Sequence, residues 1–130
     1  MIQARNVDWS TLEQPFSQKI SQNSKSSYTE TIDCSTIPSD MKFLVIASGY
    51  VNVDGGSNHG YRMHIDYNSI NISGDIWANA PTSTNTSVPG SAIALVTKVS
   101  GVDSVNIGFH NSGCTLREIR FNVCVVPLPS

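Results

Sequence analysis

Residues 41–67, MKFLVIASGYVNVDGGSNHGYRMHIDY, decide the fold class. Phe43 to Val53 is rich in β-branched and aromatic side chains, which suit a pleated surface better than a helix. Asp54-Gly55-Gly56 supplies the backbone freedom of a tight reversal, so two strands meeting at a glycine-rich turn are predicted. In the returning half, Tyr61, Met63, Ile65 and Tyr67 fall on one face and Arg62, His64 and Asp66 on the other. That alternation marks a sheet with one dry and one wet side. The denser run Phe43-Leu44-Val45-Ile46-Ala47 predicts burial on both faces.

Downstream, Ser69 to Ser73 and Ile76-Trp77-Ala78 are expected as short strands broken by Gly74. Pro81 to Pro89 is expected as a long polar loop. Ala92 to Thr97 reads as a buried strand, Gly101 as a turn, and Val105 to Phe109 as an alternating strand whose Gly108 signals a bulge or a close neighbour. His110 to Gly113 is expected as a hairpin loop and Leu116 to Val126 as a long closing strand. Upstream, Tyr28 to Cys34 alternates as a strand, and Ile37 to Asp40 forms a turn. Roughly eight short strands, turn signals every 8–12 residues and no convincing helix predict an all-β antiparallel sandwich or jelly roll.

Residues 1–27 form a separate region on this reading, an N-terminal arm ahead of a head domain at 28–130. Trp9 and Leu12 stand on a polar leader that cannot bury them alone, which makes them candidate contacts with a neighbouring subunit. Ser10 and Glu13 fit a capping box for a short helical turn. After Phe16, the run SQKISQNSKSS offers almost nothing to bury.

At 130 residues the chain suits one domain with a core of its own. Only 14% of residues are charged, against about a quarter in ordinary domains, and Ser, Thr and Asn fill the gap. A net charge of -2 without a basic run disfavours nucleic acid. No apolar run approaches the about 20 residues of a helical span, and MIQARNVDWS lacks an apolar signal core, so neither membrane insertion nor secretion by a leader is expected. Cys34, Cys114 and Cys124 form no CxxC pair. Their odd number argues against a disulfide framework or a zinc site. Nothing in the sequence supports a Cys34–Cys114 bridge. Cys124, inside the apolar run Phe121 to Val126, is expected to be a buried small hydrophobe.

Catalytic signals are lacking. There is no GxSxG elbow, P-loop or HExxH, and no two of the acidic residues are spaced as a glycosidic acid–base pair. His64 and Asp66, at i and i+2, suit an exposed polar row, and a non-enzymatic protein without a cofactor is expected. His59, His64 and His110 lack single-chain metal spacing, although a threefold assembly could triple one histidine near its axis, His64 being the natural candidate. The loops carry more information. Asn58, His59, Tyr61, Trp77, Asn79, His110 and Asn111 put aromatics and amides near turns. A flat aromatic face stacks on the apolar side of a sugar ring while amides bond its hydroxyls, so these are the candidate receptor contacts. The plain alternative makes Trp77 core and the amides turn formers.

The leader Ala4-Arg5-Asn6-Val7-Asp8-Trp9-Ser10-Thr11-Leu12 resembles the N-[IV]-D-W-[ST]-T-[LF] phrase found just before the C-terminal head of bacteriophage tail fibres and receptor-binding proteins. The following β-rich text, with FLVIASGY at 43–50 and FNVCVV at 121–126, is similar in outline to their sandwich heads, some of them C1q/TNF-like trimers. The resemblance implies a homotrimer on the virion, assembled in the host cytoplasm, that contacts a host-surface glycan or protein. No binding residue carries over, and the repetitive shaft of longer fibres is missing. Two other roles fit the same text. One is a capsid decoration or cement protein, or another structural virion protein, whose first 27 residues order against the shell. The other is a glycan-cleaving tip.

Overall fold

The computed structural model describes residues 14–80 and 86–128, without the side chains at 24, 55–59, 79–80 and 112–114. The described chain folds into β1 (Phe16–Lys25), β2 (Ser27–Asp33), β3 (Lys42–Tyr67), β4 (Ile70–Asn71), β5 (Ile76–Ala80), β6 (Thr86–Thr97) and β7 (Ser104–Leu128). No helix occurs among the described residues. The all-β expectation therefore holds, as two antiparallel sheets packed into a β-sandwich.

Two long strands organise it. β3 and β7 run antiparallel from Lys42↔Leu128 to Tyr67↔Val105, and each crosses from one sheet into the other. Their outer halves, with β1 beside β7 and β6 beside β3, form sheet one in the order β1-β7-β3-β6. Their other halves, with β2 beside β7 and β4 and β5 beside β3, form sheet two. The reversal expected at Asp54-Gly55-Gly56 is not made. β3 instead carries an irregularity between Gly55 and Gly60, opposite Cys114 and Ser112, and continues. Glycine here serves a bend between sheets. The hairpin loop expected at His110 to Gly113 is likewise part of continuous β7. A genuine two-residue hairpin lies at Asn68-Ser69, whose φ values of 53° and 62° are the positive pair a I′ turn requires.

Alternation fills the space between the sheets. Phe43, Val45, Ala47, Val51 and Val53 point inward from sheet one, and Tyr61, Met63, Ile65 and Tyr67 from sheet two. Edge-to-face rings join the layers, Phe43 on Tyr67 at 6.0 Å and Phe109 on Phe121 at 5.0 Å. At one end the buried Lys98 donates to the Ile37 carbonyl (3.2 Å) and pairs with Asp103 (3.0 Å), and that bond to Asp103 holds its pKa up. The Tyr67 hydroxyl donates to the Val102 carbonyl (2.9 Å) and accepts from the Val99 amide (2.8 Å), tying the β6–β7 connection to β3.

Several expectations change at this level. From Phe16 onward the supposed arm is an edge strand paired with β7, because Phe16 and the buried Ile20 recur on its inner side; Ser10, Glu13, Trp9 and Leu12 lie outside the described residues. β6 begins at Thr86, inside the expected loop, and Pro89 is tolerated there because β6 is an edge. Cys124 is exposed rather than buried, since Val123 and Val125 take the inward positions on either side. Cys34 is the buried thiol and is free, so the Cys34–Cys114 bridge is not formed. Burial pushes its pKa up. Ile93 and Leu95 of β6, expected in the core, are 60% and 57% exposed.

Candidate functional site on the outer face of sheet two

The wet face foreseen for Arg62, His64 and Asp66 is the outer surface of sheet two, and register extends it across four strands. One cross-strand row runs Trp77, Arg62, His110, Ser27, and another runs Asn71, Asp66, Asn106, Thr31. His64 lies between them opposite Gly108. A Cβ on Gly108 would fall 2.6 Å from His64 Nε2, so glycine is what lets the imidazole lie on β7. The ring then stacks on His110 with centroids 5.2 Å apart and planes 10° from parallel. His64 Nε2 sits 3.2 Å from Asp66 Oδ2, while Asp75 Oδ1 stands 3.8 Å from Nδ1. The His64 side chain is only 15% exposed. It is an inlaid residue rather than a projecting one.

Around this pair the charges are already matched. Arg62 pairs with Asp75 at 3.3 Å and lies 5.5 Å from the centre of the Trp77 ring. Asn71 Nδ2 donates to Asp75 Oδ1 at 3.2 Å. Trp77, 54% exposed, is therefore a surface aromatic whose neighbour is a carboxylate-fixed guanidinium. His110 is harder to protonate than an isolated histidine, first because it is partly desolvated, then because His64 and Arg62 add positive charge; Asp75 and Asp66 oppose this weakly. Among the described residues no three His, Cys, Asp or Glu side chains are grouped to hold a metal ion.

The sequence-derived contacts divide unevenly over this face. Trp77 and His110 belong to it. Tyr61 does not: it is fully buried, its hydroxyl donates to the Val88 carbonyl at 3.3 Å, and burial pushes its pKa up to about 12. The alternation that sends Arg62 outward sends Tyr61 in. Asn111 is half-buried, and its amide donates to the Ser26 carbonyl, so it serves the β1–β2 corner. The side chains of Asn58, His59 and Asn79 lie outside the described residues, as do Trp9 and Leu12. Arg62 and Asp75 were missed as site residues. Arg62 carried a signal in its wet-face parity with His64, whereas Asp75 joins only through folding of the β4–β5 segment.

Elsewhere, a shallow depression of about 480 Å³ lies on the outer side of sheet one and is lined by Lys19, Ser48, Tyr50 and Arg120 among others. Its guanidinium is committed to β1, donating to the Gln22 carbonyl and to Asn23 Oδ1, both at 2.8 Å. No protein-family model matches the chain, and no curated protein matches it.

Proposed function

We propose that the chain is a non-enzymatic phage receptor-binding head, trimeric on the virion, that attaches to a host-surface glycan through the outer face of sheet two. The observation that carries this is Trp77, a half-exposed aromatic on a β-sandwich, set beside Arg62, Asp75, Asn71 and Asp66. The indole offers an apolar platform for a sugar ring, and the flanking guanidinium, amide and carboxylates offer donors and acceptors to its hydroxyls. Arg62 and Asp75 hold each other in place, so little side-chain freedom remains to be lost when a ligand arrives. The leader phrase at residues 4–12 supports the virion setting.

Titration of the assembled protein with host-surface polysaccharide, followed by isothermal titration calorimetry, tests the proposal. Trp77→Ala should weaken binding about two- to twelvefold, the loss of one stacking contact of about 0.5–1.5 kcal/mol. Binding that survives Trp77→Ala and Arg62→Ala unchanged would move the receptor site off this face.

A further inference from the structure

The depression on the outer side of sheet one follows from the strand register. The cross-strand row Lys19–Asn122–Ser48–Ser91 puts short polar side chains between a row that holds Ile46 and Ile93 and another that holds Tyr50 and Arg120. Short side chains between taller ones leave a trough, and its volume of about 480 Å³ lies within the about 300–1,000 Å³ of small-ligand sites. Tyr50 is 41% exposed, and Lys19, Ser48 and Asn122 are exposed beside it. The charges here are unmatched. The chain carries a net charge of -2, yet the outward positions from Lys42 to Asn52 and their cross-strand partners hold Lys19, Lys42 and Arg120 against Glu118 alone. Lys19 has no ion pair among the described residues, and Glu118, one row beyond Arg120, forms none with it. The Arg120 guanidinium donates to the carbonyls of Gln22 (2.8 Å) and Ile119 (3.0 Å) and to Asn23 Oδ1 (2.8 Å). All three acceptors are neutral, so the group is held in place while its charge stays uncompensated.

From these observations we propose that the depression is a second binding site, one that takes a saccharide bearing a carboxylate. The Tyr50 ring offers a platform to the apolar side of a pyranose, and Ser48 and Asn122 offer donors and acceptors to its hydroxyls. The carboxylate faces Lys19 and the fixed guanidinium of Arg120. Charge is what separates this site from the face of sheet two. There Arg62 is already matched by Asp75 at 3.3 Å and has no charge to spare for an anion. Here two cations stand without a carboxylate, and a ligand that supplies one completes them. A neutral sugar would leave both uncompensated, and a bare anion would leave the aromatic and amide groups unused.

This inference goes beyond the receptor reading and does not rest on it. Isothermal titration calorimetry of the full chain with an oligomer of glucuronic acid tests it, with the matching oligomer of glucose as the neutral control. The acidic oligomer should bind about tenfold more tightly than the neutral one, and added salt should narrow the difference by screening the exposed charges. Lys19→Glu, which sets a like charge against the carboxylate, should weaken binding about fivefold or more. Tyr50→Ala should weaken it about two- to twelvefold. Both side chains are exposed, so circular dichroism should not change, and Arg120, which ties β1 down, is left in place. On titration with the acidic oligomer, amide chemical-shift changes should centre on Ser48, Tyr50 and Asn122. Absence of binding, equal binding of the neutral oligomer, or displacement by inorganic phosphate at equal concentration would overturn the proposal. So would shifts centred on Arg62 and Trp77, which would assign the acidic sugar to sheet two. Failure of sheet two to bind any glycan leaves each of these outcomes as decisive as before.

Discussion

Gly49 and Gly108 both lie where a Cβ has no room, but what occupies the space differs. At Gly49 it would sit 2.1 Å from the Arg120 carbonyl oxygen and 2.6 Å from Phe121 Cα, backbone atoms of the neighbouring strand that move only if the strands part. Gly49→Ala should cost at least the about 1–3 kcal/mol of an overpacked core, seen as a lowered urea midpoint. At Gly108 the obstacle is the His64 ring, which can swing away. Gly108→Ala should therefore cost less but break the His64–His110 stack, visible in the histidine ring resonances. The stack itself carries a pH dependence. The folded state lowers the pKa of His110 below 6.5, so the unfolded chain binds the proton more readily. Stability from this group is greatest above 6.5, declines as pH falls through 6.5 toward the lower folded value, and is constant below that. In His110→Asn this component of the slope between about pH 7 and 5 should disappear from urea unfolding curves.

At the scale of elements, the parts legible in the sequence were those whose signal is local. The alternation from Tyr61 to Tyr67, the strand at Tyr28 and the turn at Gly101 needed only neighbouring residues, and all three stand. The connection of β3 was not legible, because Asp54-Gly55-Gly56 has the same composition whether the chain reverses or bends across into the other sheet. Only pairing with β7, a strand beginning about fifty residues further on, separates the two outcomes. The same limit misplaced Ile93, Leu95 and Cys124. A short apolar run looks alike whether one or both faces are covered, and here sheet one has a second sheet on its inner side alone. The site was half legible for a related reason: Trp77 and His110 could be read as exposed candidates and parity along β3 puts Arg62 beside His64, but Asp75 joins only through the folding of the β4–β5 segment. Long-range ties make their own prediction. Tyr67→Phe removes both the acceptor for the Val99 amide and the donor to the Val102 carbonyl. It should cost about 1–2 kcal/mol, with faster hydrogen exchange at Val99 as the local readout.

Across the whole molecule, the two outer faces differ in chemistry. Sheet one presents two uncharged rows, Leu95–Leu44–Val126 and Ile93–Ile46–Cys124, and sheet two presents an aromatic among fixed polar groups. The two sheets lie back to back, so the proposed receptor face of sheet two points away from the outer face of sheet one. On the proposed receptor reading, a site this shallow would bury little of a sugar, so attachment would come from several sites engaging one surface at once. Linking the sites raises apparent affinity by about 10²–10⁴ when their spacing lets them bind together. A monomeric form of the protein should accordingly keep the single-site affinity for a soluble oligosaccharide while losing about 10²–10⁴ in attachment to a glycan-coated surface. Trp77→Ala should weaken both measurements by a similar single-site factor per copy, compounded on the surface. If a monomeric form attached to the coated surface as tightly as the assembly, each sheet-two face would have to bind strongly alone, and the avidity argument would lose its physical basis.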